Sequence, residues 1–259
     1  MMILFVFAVC LCASTIGGVC GIGGGVVIKP LLDATGVMSV STVSFLSGLT
    51  VLAMALISVY KNRKTRELDV ARSIPLGVGA AVGGVLGKRL FEMIKLALGA
   101  DQMVGTIQAL VLGLLVLGTL LYVKNKARIR TKDVKNPVLA VVIGLLLGMC
   151  SSFLGIGGGP MNLAVLYYFF SMGTKQAAIN SLLIILISQT MSVGMSLIGG
   201  NVPAFEWPVL FAMVLAGALG GNISARLHKK LSAETTDKLF SALLVVILVI
   251  CCYNALKGL

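Results

Sequence analysis

Charge is scarce in this chain of 259 residues, and acidic charge is the scarcer sign. Asp, Glu, Lys and Arg make up 12% of the residues, with 9 acidic side chains against 21 basic ones. A soluble domain carries roughly twice that charged fraction. Hydrophobic residues account for 58% and the mean hydropathy is +1.04, so lipid rather than water must solvate most of the surface. There is one histidine, His228. The sequence holds no H-E-x-x-H, no G-x-S-x-G and no G-x-x-x-x-G-K-[ST], which removes the machinery of an intramembrane hydrolase or an ATP-driven pump. The six cysteines (Cys10, Cys12, Cys20, Cys150, Cys251 and Cys252) form no C-x-x-C pair. They point away from a disulfide scaffold or a zinc site, and no cofactor is indicated. No Lys or Arg precedes the apolar run 1–20, so that run does not read as a cleaved signal peptide.

What is present is a series of long stretches without charge. None of the four charged residue types occurs in 73–87, 102–123, 137–174, 176–205, 207–225 or 239–256, and 1–60 contains only Lys29 and Asp33. Several of these windows reach the ~20 residues that a helix needs to cross ~30 Å of hydrocarbon. The runs are continuous and lack the alternation of a barrel strand, so helices are expected. The net charge of +12 sits in short connectors. Residues 61–72 hold Lys61, Arg63, Lys64, Arg66 and Arg72; residues 124–135 hold Lys124, Lys126, Arg128, Arg130, Lys132 and Lys135. Basic connectors between apolar spans follow the positive-inside rule and argue against a nucleic-acid partner.

The chain repeats itself. Gly21-Ile22-Gly23-Gly24-Gly25 recurs as Gly155-Ile156-Gly157-Gly158-Gly159, and the same spacing pairs Met38 with Met172 and Ser47 with Ser181. Gly83-Gly84 followed by Arg89-Leu90 recurs as Gly220-Gly221 followed by Arg226-Leu227. Two homologous transmembrane units are therefore expected, 1–123 and 137–259, joined by a basic cytoplasmic linker, 124–136. The basic connector 61–72 corresponds to 199–206, which has no Lys or Arg, so the two units should be inverted with respect to each other. On this reading 61–72, 124–136 and 226–238 are cytoplasmic and 199–206 lies outside. Residues 88–101, with Lys88, Arg89 and Lys95, fit that pattern least well. The fold class is an all-α integral membrane protein, a polytopic bundle of two inverted repeats, each with a Gly-rich broken or re-entrant helix. Spans are expected at 1–20, 40–60, 73–90, 102–123, 137–154, 175–198, 207–227 and 238–257. Shorter segments at 26–37 and 160–172 either re-enter or cross at a tilt.

Four glycines in five residues cost about 1 kcal/mol each inside a helix, and lipid offers freed backbone groups no partner. A helix restarting after such a break aims N–H groups and its positive dipole end into the gap, where an anion fits. Two such ends meeting at the midplane is a recurrent transporter plan. Close helix packing alone would account for Gly113/Gly118 or Gly144/Gly148, but less well for the tandem run. The candidate ligand groups are Gly21, Gly23, Gly24 and Gly25 in the first half and Gly155, Gly157, Gly158 and Gly159 in the second. Lys29 either supplies a counter-charge or pairs with Asp33 at i+4. Asn162 either bonds a ligand oxygen or caps its helix. Ser47, Thr50, Asn180, Ser181 and Gln189 line the path or bond a neighbouring helix. Lys175 reads as an interfacial anchor, and Cys20 and Cys150 flank the breaks.

The duplicated G-x-G-G-G run, the Pro30-Leu31 behind the first one, and the patches Phe45-Leu46-Ser47 and Asn180-Ser181-Leu182 resemble the TauE/SafE sulfite-exporter family over nearly the whole chain. That resemblance implies an inner-membrane, multi-pass carrier of sulfite, an organosulfonate or a related sulfur oxyanion, with the lipid bilayer as its other partner and a homodimer allowed. The second half departs from the pattern: Pro160 directly follows the glycines, and Ala164 stands opposite Pro30. The expected function is a secondary transporter, in the exporting direction, working by alternating access around the two breaks. A channel-like uniporter or an uptake carrier is the alternative. Asp33, Glu206 and His228, the last placed by sequence in the basic connector 226–238, are few titratable groups for proton coupling. An inside-negative potential drives anion efflux without them, by ~2.3 kcal/mol per charge per 100 mV.

Overall fold

A computed structural model describes residues 2–35, 38–98, 101–153, 159–200 and 202–257. Among them are ten α-helices and no strand: α1 Met2–Cys20, α2 Gly25–Thr35, α3 Val40–Asn62, α4 Val70–Leu98, α5 Asp101–Asn125, α6 Pro137–Phe153, α7 Gly159–Phe170, α8 Thr174–Ile198, α9 Trp207–Lys230 and α10 Ala233–Lys257. The helix ends follow local chemistry. Ser39 caps α3 by accepting the Thr42 N–H at 3.2 Å, and Asn136 does the same for Val138 ahead of α6 at 2.9 Å. Lys61, Lys124 and the His228–Lys230 run close α3, α5 and α9, where cations suit the helix dipole. Six stretches are long and apolar enough to cross a bilayer: Met2–Cys20, Ser41–Asn62, Val70–Leu90, Thr174–Ile198, Trp207–Lys230 and Ala233–Cys252. At 11 and 12 residues, α2 and α7 reach only about 16–18 Å.

Helix directions can be read from the residues in contact. Gly220 lies on Leu11 and Ser14 while Gly18 lies on Ser224, so α1 and α9 run parallel. Gly217 on Thr50 and Gly221 on Met54 make α3 parallel to α9. Gly144 on Leu76 and Gly148 on Ala80 make α6 parallel to α4, and the pairs Ser73–Asn180 and Gly77–Ile187 make α8 parallel to α4. The short connector 63–69 reverses the chain between α3 and α4. Helices α1, α3 and α9 thus point one way, and α4, α6 and α8 the other. In each of the pairs α1/α6, α3/α8 and α4/α9, which the spacing of the sequence motifs matches, the two helices are opposed.

The two ends of the bundle differ. At the basic end, Arg72 meets Asp133 at 2.8 Å, Lys126 meets Asp237 at 2.5 Å, and Lys61 bonds Asn222. The segment 132–134 is pinned beneath the end of α7 by Lys132 N to Tyr168 O and Val134 N to Phe169 O. At the other, apolar end, Thr42 donates to the Ala204 carbonyl at 3.0 Å, Phe45 stacks on Phe205, and Phe205 meets Trp207 edge-on. Between the ends, Leu56, Val78, Val82, Leu114, Leu146, Phe211, Leu215 and Val249 stand exposed, as lipid-facing side chains do.

Lipid supplies no hydrophobic drive between helices, so close backbone approach holds them together. A Cβ on Gly79 or Gly83 would collide with the carbonyl of Val141 or Leu145, and one on Gly144 or Gly148 with that of Leu76 or Ala80. Gly113 and Gly118 do not share this role: Gly113 has only side-chain neighbours at 3.7 Å and beyond, and Gly118 has nothing within 4 Å. Gly83→Ala should therefore lower stability in detergent by about 1–3 kcal/mol. Gly118→Ala should be neutral or stabilise by up to ~1 kcal/mol. Thermal unfolding of the two variants checks the contrast, and equal Tm values would refute it.

Candidate anion-binding site

α1 ends at Cys20 and α2 begins at Gly25, with residues 21–24 outside any helix. Gly21 adopts φ +76° and Gly23 φ +79°, conformations that cost glycine nothing. The Gly21 N–H bonds the Gly18 carbonyl at 3.3 Å and the Ile22 N–H bonds the Gly17 carbonyl at 2.9 Å. This pair of bonds, with a left-handed glycine just past the helix, is a Schellman cap. The Gly23 N–H also reaches the Gly17 carbonyl, at 3.2 Å. Three of the N–H groups in the glycine run are therefore directed back at α1. The groups left over are the N–H of Gly24, Gly25 and Val26, for which no acceptor is found among the described residues; Val27 and Ile28 both donate to the Gly24 carbonyl. Gly24 and Val26 are buried, and a buried donor without a partner costs about 1–3 kcal/mol.

The break lies deep in the bundle. A Cβ on Gly23 would touch Ile185 at 3.3 Å and Val51 at 3.5 Å, and one on Gly25 would touch Val51 at 3.2 Å. Val51 and Ile185 are near the middle of the 23-residue α3 and the 25-residue α8. From there α2 folds back along α1 toward the apolar end, sharing a packed cluster with Val6, Cys10 and Ala13. Gly159 at the start of α7 is pressed against Ile22 so closely that a Cβ would collide with it. Ile22 and Val26 share a cluster with Leu163 and Leu166 of α7, which runs from this point to the basic end. The N-termini of two half-length helices thus meet near mid-depth and point their positive dipole ends inward.

Unpartnered polar atoms gather here too. Ser14 is fully buried, its Oγ has no hydrogen-bond partner among the described residues, and it lies 3.1 Å from where a Gly24 Cβ would be. Asn162, in the first turn of α7, is 1% exposed and its amide oxygen is unpartnered; turned over, the same amide offers its NH2.

The expected ligand residues separate into groups. Gly21, Gly23, Gly24, Gly25, Gly159 and Asn162 are brought together. Gly155, Gly157 and Gly158 lie outside the described residues. Ser181 reaches the break as a support, donating to the Gly21 carbonyl at 2.6 Å. Gln189 rests over Gly48, one turn from Ile185, at the α3–α8 contact. Ser47 and Thr50 bond back to their own helix, at Ser44 and Leu46. Asn180 does something different, accepting from Asp69 N and Ser73 Oγ and donating to the carbonyls of Glu67 and Gln176. With all four positions filled, it fastens the 63–69 connector and is no ligand group. Lys29 is half-buried and forms no ion pair among the described side chains; the Asp33 side chain lies outside them. Ser14 was not evident from sequence. Ser14 sits seven residues ahead of Gly21 and meets Gly24 only because α2 folds back.

A family model described as sulfite exporter TauE/SafE matches residues 6–250. The chain belongs to this family. Over 260 residues it is 24% identical to the probable membrane transporter protein YunE of Bacillus subtilis (strain 168), covering 92% of each chain. It is 27% identical over 270 residues to the probable membrane transporter protein MamO of Magnetospirillum gryphiswaldense, covering 92% of this chain and 43% of that longer protein. No solved structure matches. This TauE/SafE protein is a multi-pass membrane transporter.

Its first break depends on two supports that can be removed one at a time. Gly21→Ala places a side chain at φ +76° and against the Ala178 backbone; strain and overlap together should cost about 2–5 kcal/mol. Ser181→Ala leaves the Gly21 carbonyl unpaired and should cost about 1–3 kcal/mol. Thermal unfolding in detergent should place both below the wild type, Gly21→Ala the lower of the two.

Proposed function

We propose that this TauE/SafE protein carries a small sulfur oxyanion, sulfite or an organosulfonate, and binds it between the two half-helices. Export driven by the membrane potential is the direction this reading favours. The observation that carries it is the set of unspent donors at mid-depth: the N–H groups of Gly24, Gly25 and Val26 and the hydroxyl of the buried Ser14. Donors left open in a low-dielectric interior cost energy until an acceptor arrives, and an anion satisfies all of them together. The α2 dipole adds a favourable term of the same sign. Lys29, one turn into α2, raises the local positive potential. Selectivity for oxyanions over halides follows from donors that diverge from one helix end and suit several acceptor oxygens.

Alternating access is supported by the opposed directions of α1/α6, α3/α8 and α4/α9, the arrangement two inverted repeats produce. With 61–72, 124–136 and 226–238 gathered at one end, the basic end is read as cytoplasmic and the 199–206 end as external. The connector 124–136 is then a cytoplasmic linker between units 1–123 and 137–259.

Purified protein in liposomes should move radiolabelled sulfite or a sulfonate. Ser14→Ala removes a hydroxyl that has no partner to lose, so folding should be unaffected while flux at limiting substrate falls about 10-fold or more, the value of a charge-assisted hydrogen bond. Wild-type flux in Ser14→Ala combined with Gly25→Leu would place the substrate elsewhere. Reporter fusions at positions 65 and 203 should report opposite faces of the membrane; the same face for both would sink the inverted arrangement.

A further inference from the structure

The site just described leaves the protein's sole histidine unused. His228 is not in a solvated connector: it lies in the last turn of α9 at 3% exposure. Its Nε2 is 3.2 Å from Glu67 Oε2 in the α3–α4 connector. The backbone carbonyl of Val19 also faces the ring, and Val19 is two residues ahead of Gly21 in the last turn of α1. Both neighbours are acceptors. A neutral imidazole carries one N–H and can serve one of them; serving both takes a second proton on the ring.

The pair stands where several elements join. The Glu67 backbone carbonyl accepts from Asn180 of α8 at 2.8 Å, and Ser181, the next residue, holds the Gly21 carbonyl. His228 adds α9 and the end of α1 to the same junction. The charged groups around it are few. Lys175 at the start of α8 is a cation close enough to act on the ring through its charge. α1 carries no charged side chain. On α3, Lys61 is held by Asn222, and its carbonyl takes Lys229, the next residue on α9, at 3.5 Å. Asp69 in the connector is paired with Arg72 at 3.4 Å. Glu67 is the only acid turned to the ring among the described residues, and its side chain is 36% exposed. It connects a sealed imidazole to water at the basic end.

We propose that Glu67 and His228 form a proton-binding site that latches the basic end of the bundle over the first glycine break, and that losing this proton frees the latch and so couples the rate of anion movement to the pH at that end. The proton enters from water at the basic end by way of Glu67, rests on the imidazole, and leaves by the same route. With the proton on, His228 joins α9, α1 and the connector. With it off, one acceptor faces a lone pair, the join weakens, and α1 and the connector can part. The coupling half of this proposal rests on the protein being an anion carrier; the proton-binding half does not.

A single histidine makes the test direct. Full-length protein purified through a histidine-free tag and labelled with 15N-histidine in nanodiscs gives one imidazole. Its ring nitrogens should both be protonated at low pH and pass through one titration as the pH rises, and Glu67→Gln should move that titration to lower pH. A ring that stays neutral throughout, or a titration indifferent to Glu67→Gln, overturns the site. In liposomes, exchange of labelled sulfite at equal pH first tests the carrier reading. No exchange in the wild type would overturn that reading and the coupling with it, whatever the imidazole does. Where exchange occurs, raising the pH at the basic end should speed wild-type exchange several-fold. His228→Gln and Glu67→Gln should keep exchange and lose this response to pH. The sulfonate isethionate, ionised at every pH used, run in parallel excludes protons carried on the substrate itself. A wild-type pH response retained by both variants overturns the coupling.

Discussion

A helix that stops inside a packed membrane bundle exposes its last carbonyls where there is no water to bond them. The centre of this protein depends on how α1 meets that constraint. Gly21, in a left-handed conformation that an L side chain resists, turns the chain so that the Gly21, Ile22 and Gly23 N–H groups return to the carbonyls of Gly18 and Gly17. The residues of this run therefore do two different jobs. The first three close one helix, and the last two open the next. Only the second job leaves donors free, so the anion site proposed here draws on Gly24, Gly25 and Val26 rather than on the whole run.

The same constraint explains why the neighbours of the break are small or hydroxylated. Gly21 lies on the Ala178 backbone, and a Cβ on Gly24 would come within 3.0 Å of Ser14, approaches that larger residues would block. Ser181 takes the Gly21 carbonyl, which the turn leaves outside the cap. Away from the centre, glycines at the α4–α6 contact bring backbones together without any chemistry of their own. Small residues thus serve packing between straight helices in one place and the turn of a helix break in another, and composition by itself does not separate the two uses.

The helices were legible because lipid leaves a simple record: uninterrupted apolar runs ended by charge. The spans expected at 40–60, 175–198 and 207–227 lie within or along α3, α8 and α9, each of whose ends is within three residues of the expected one, while α4 continues to Leu98. The site was legible only in part. Asn180 and Ser181 look alike in sequence as polar residues in an apolar run. Their side chains leave α8 in different directions, so one fastens a connector and the other the break. Ser14 gave no signal because its neighbour Gly24 becomes adjacent only after α2 reverses. His228 gave the wrong signal: flanked by Arg226, Lys229 and Lys230, it looks solvated, yet the helical turn carries it inward to 3% exposure. Linear charge pattern reports depth in the membrane well and reports azimuth around a helix poorly.

The two half-sites meet but are not equivalent. Pro160 stands in the first turn of α7 and has no N–H to offer, while the corresponding turn of α2 keeps all of its donors. Asn162 compensates with a side-chain amide, neutral and able to turn either face to a ligand. The first half adds Lys29 and the α1 cap, and the Glu67–His228 pair lies over that cap rather than over α7. Fixed positive potential and the groups able to respond to protons are thus both on the α1–α2 side, with an adaptable neutral amide opposite. An anion held between them would be fixed by α2 and oriented by α7, so a change in the anion's shape would register at Asn162 while a change in its charge would register at α2.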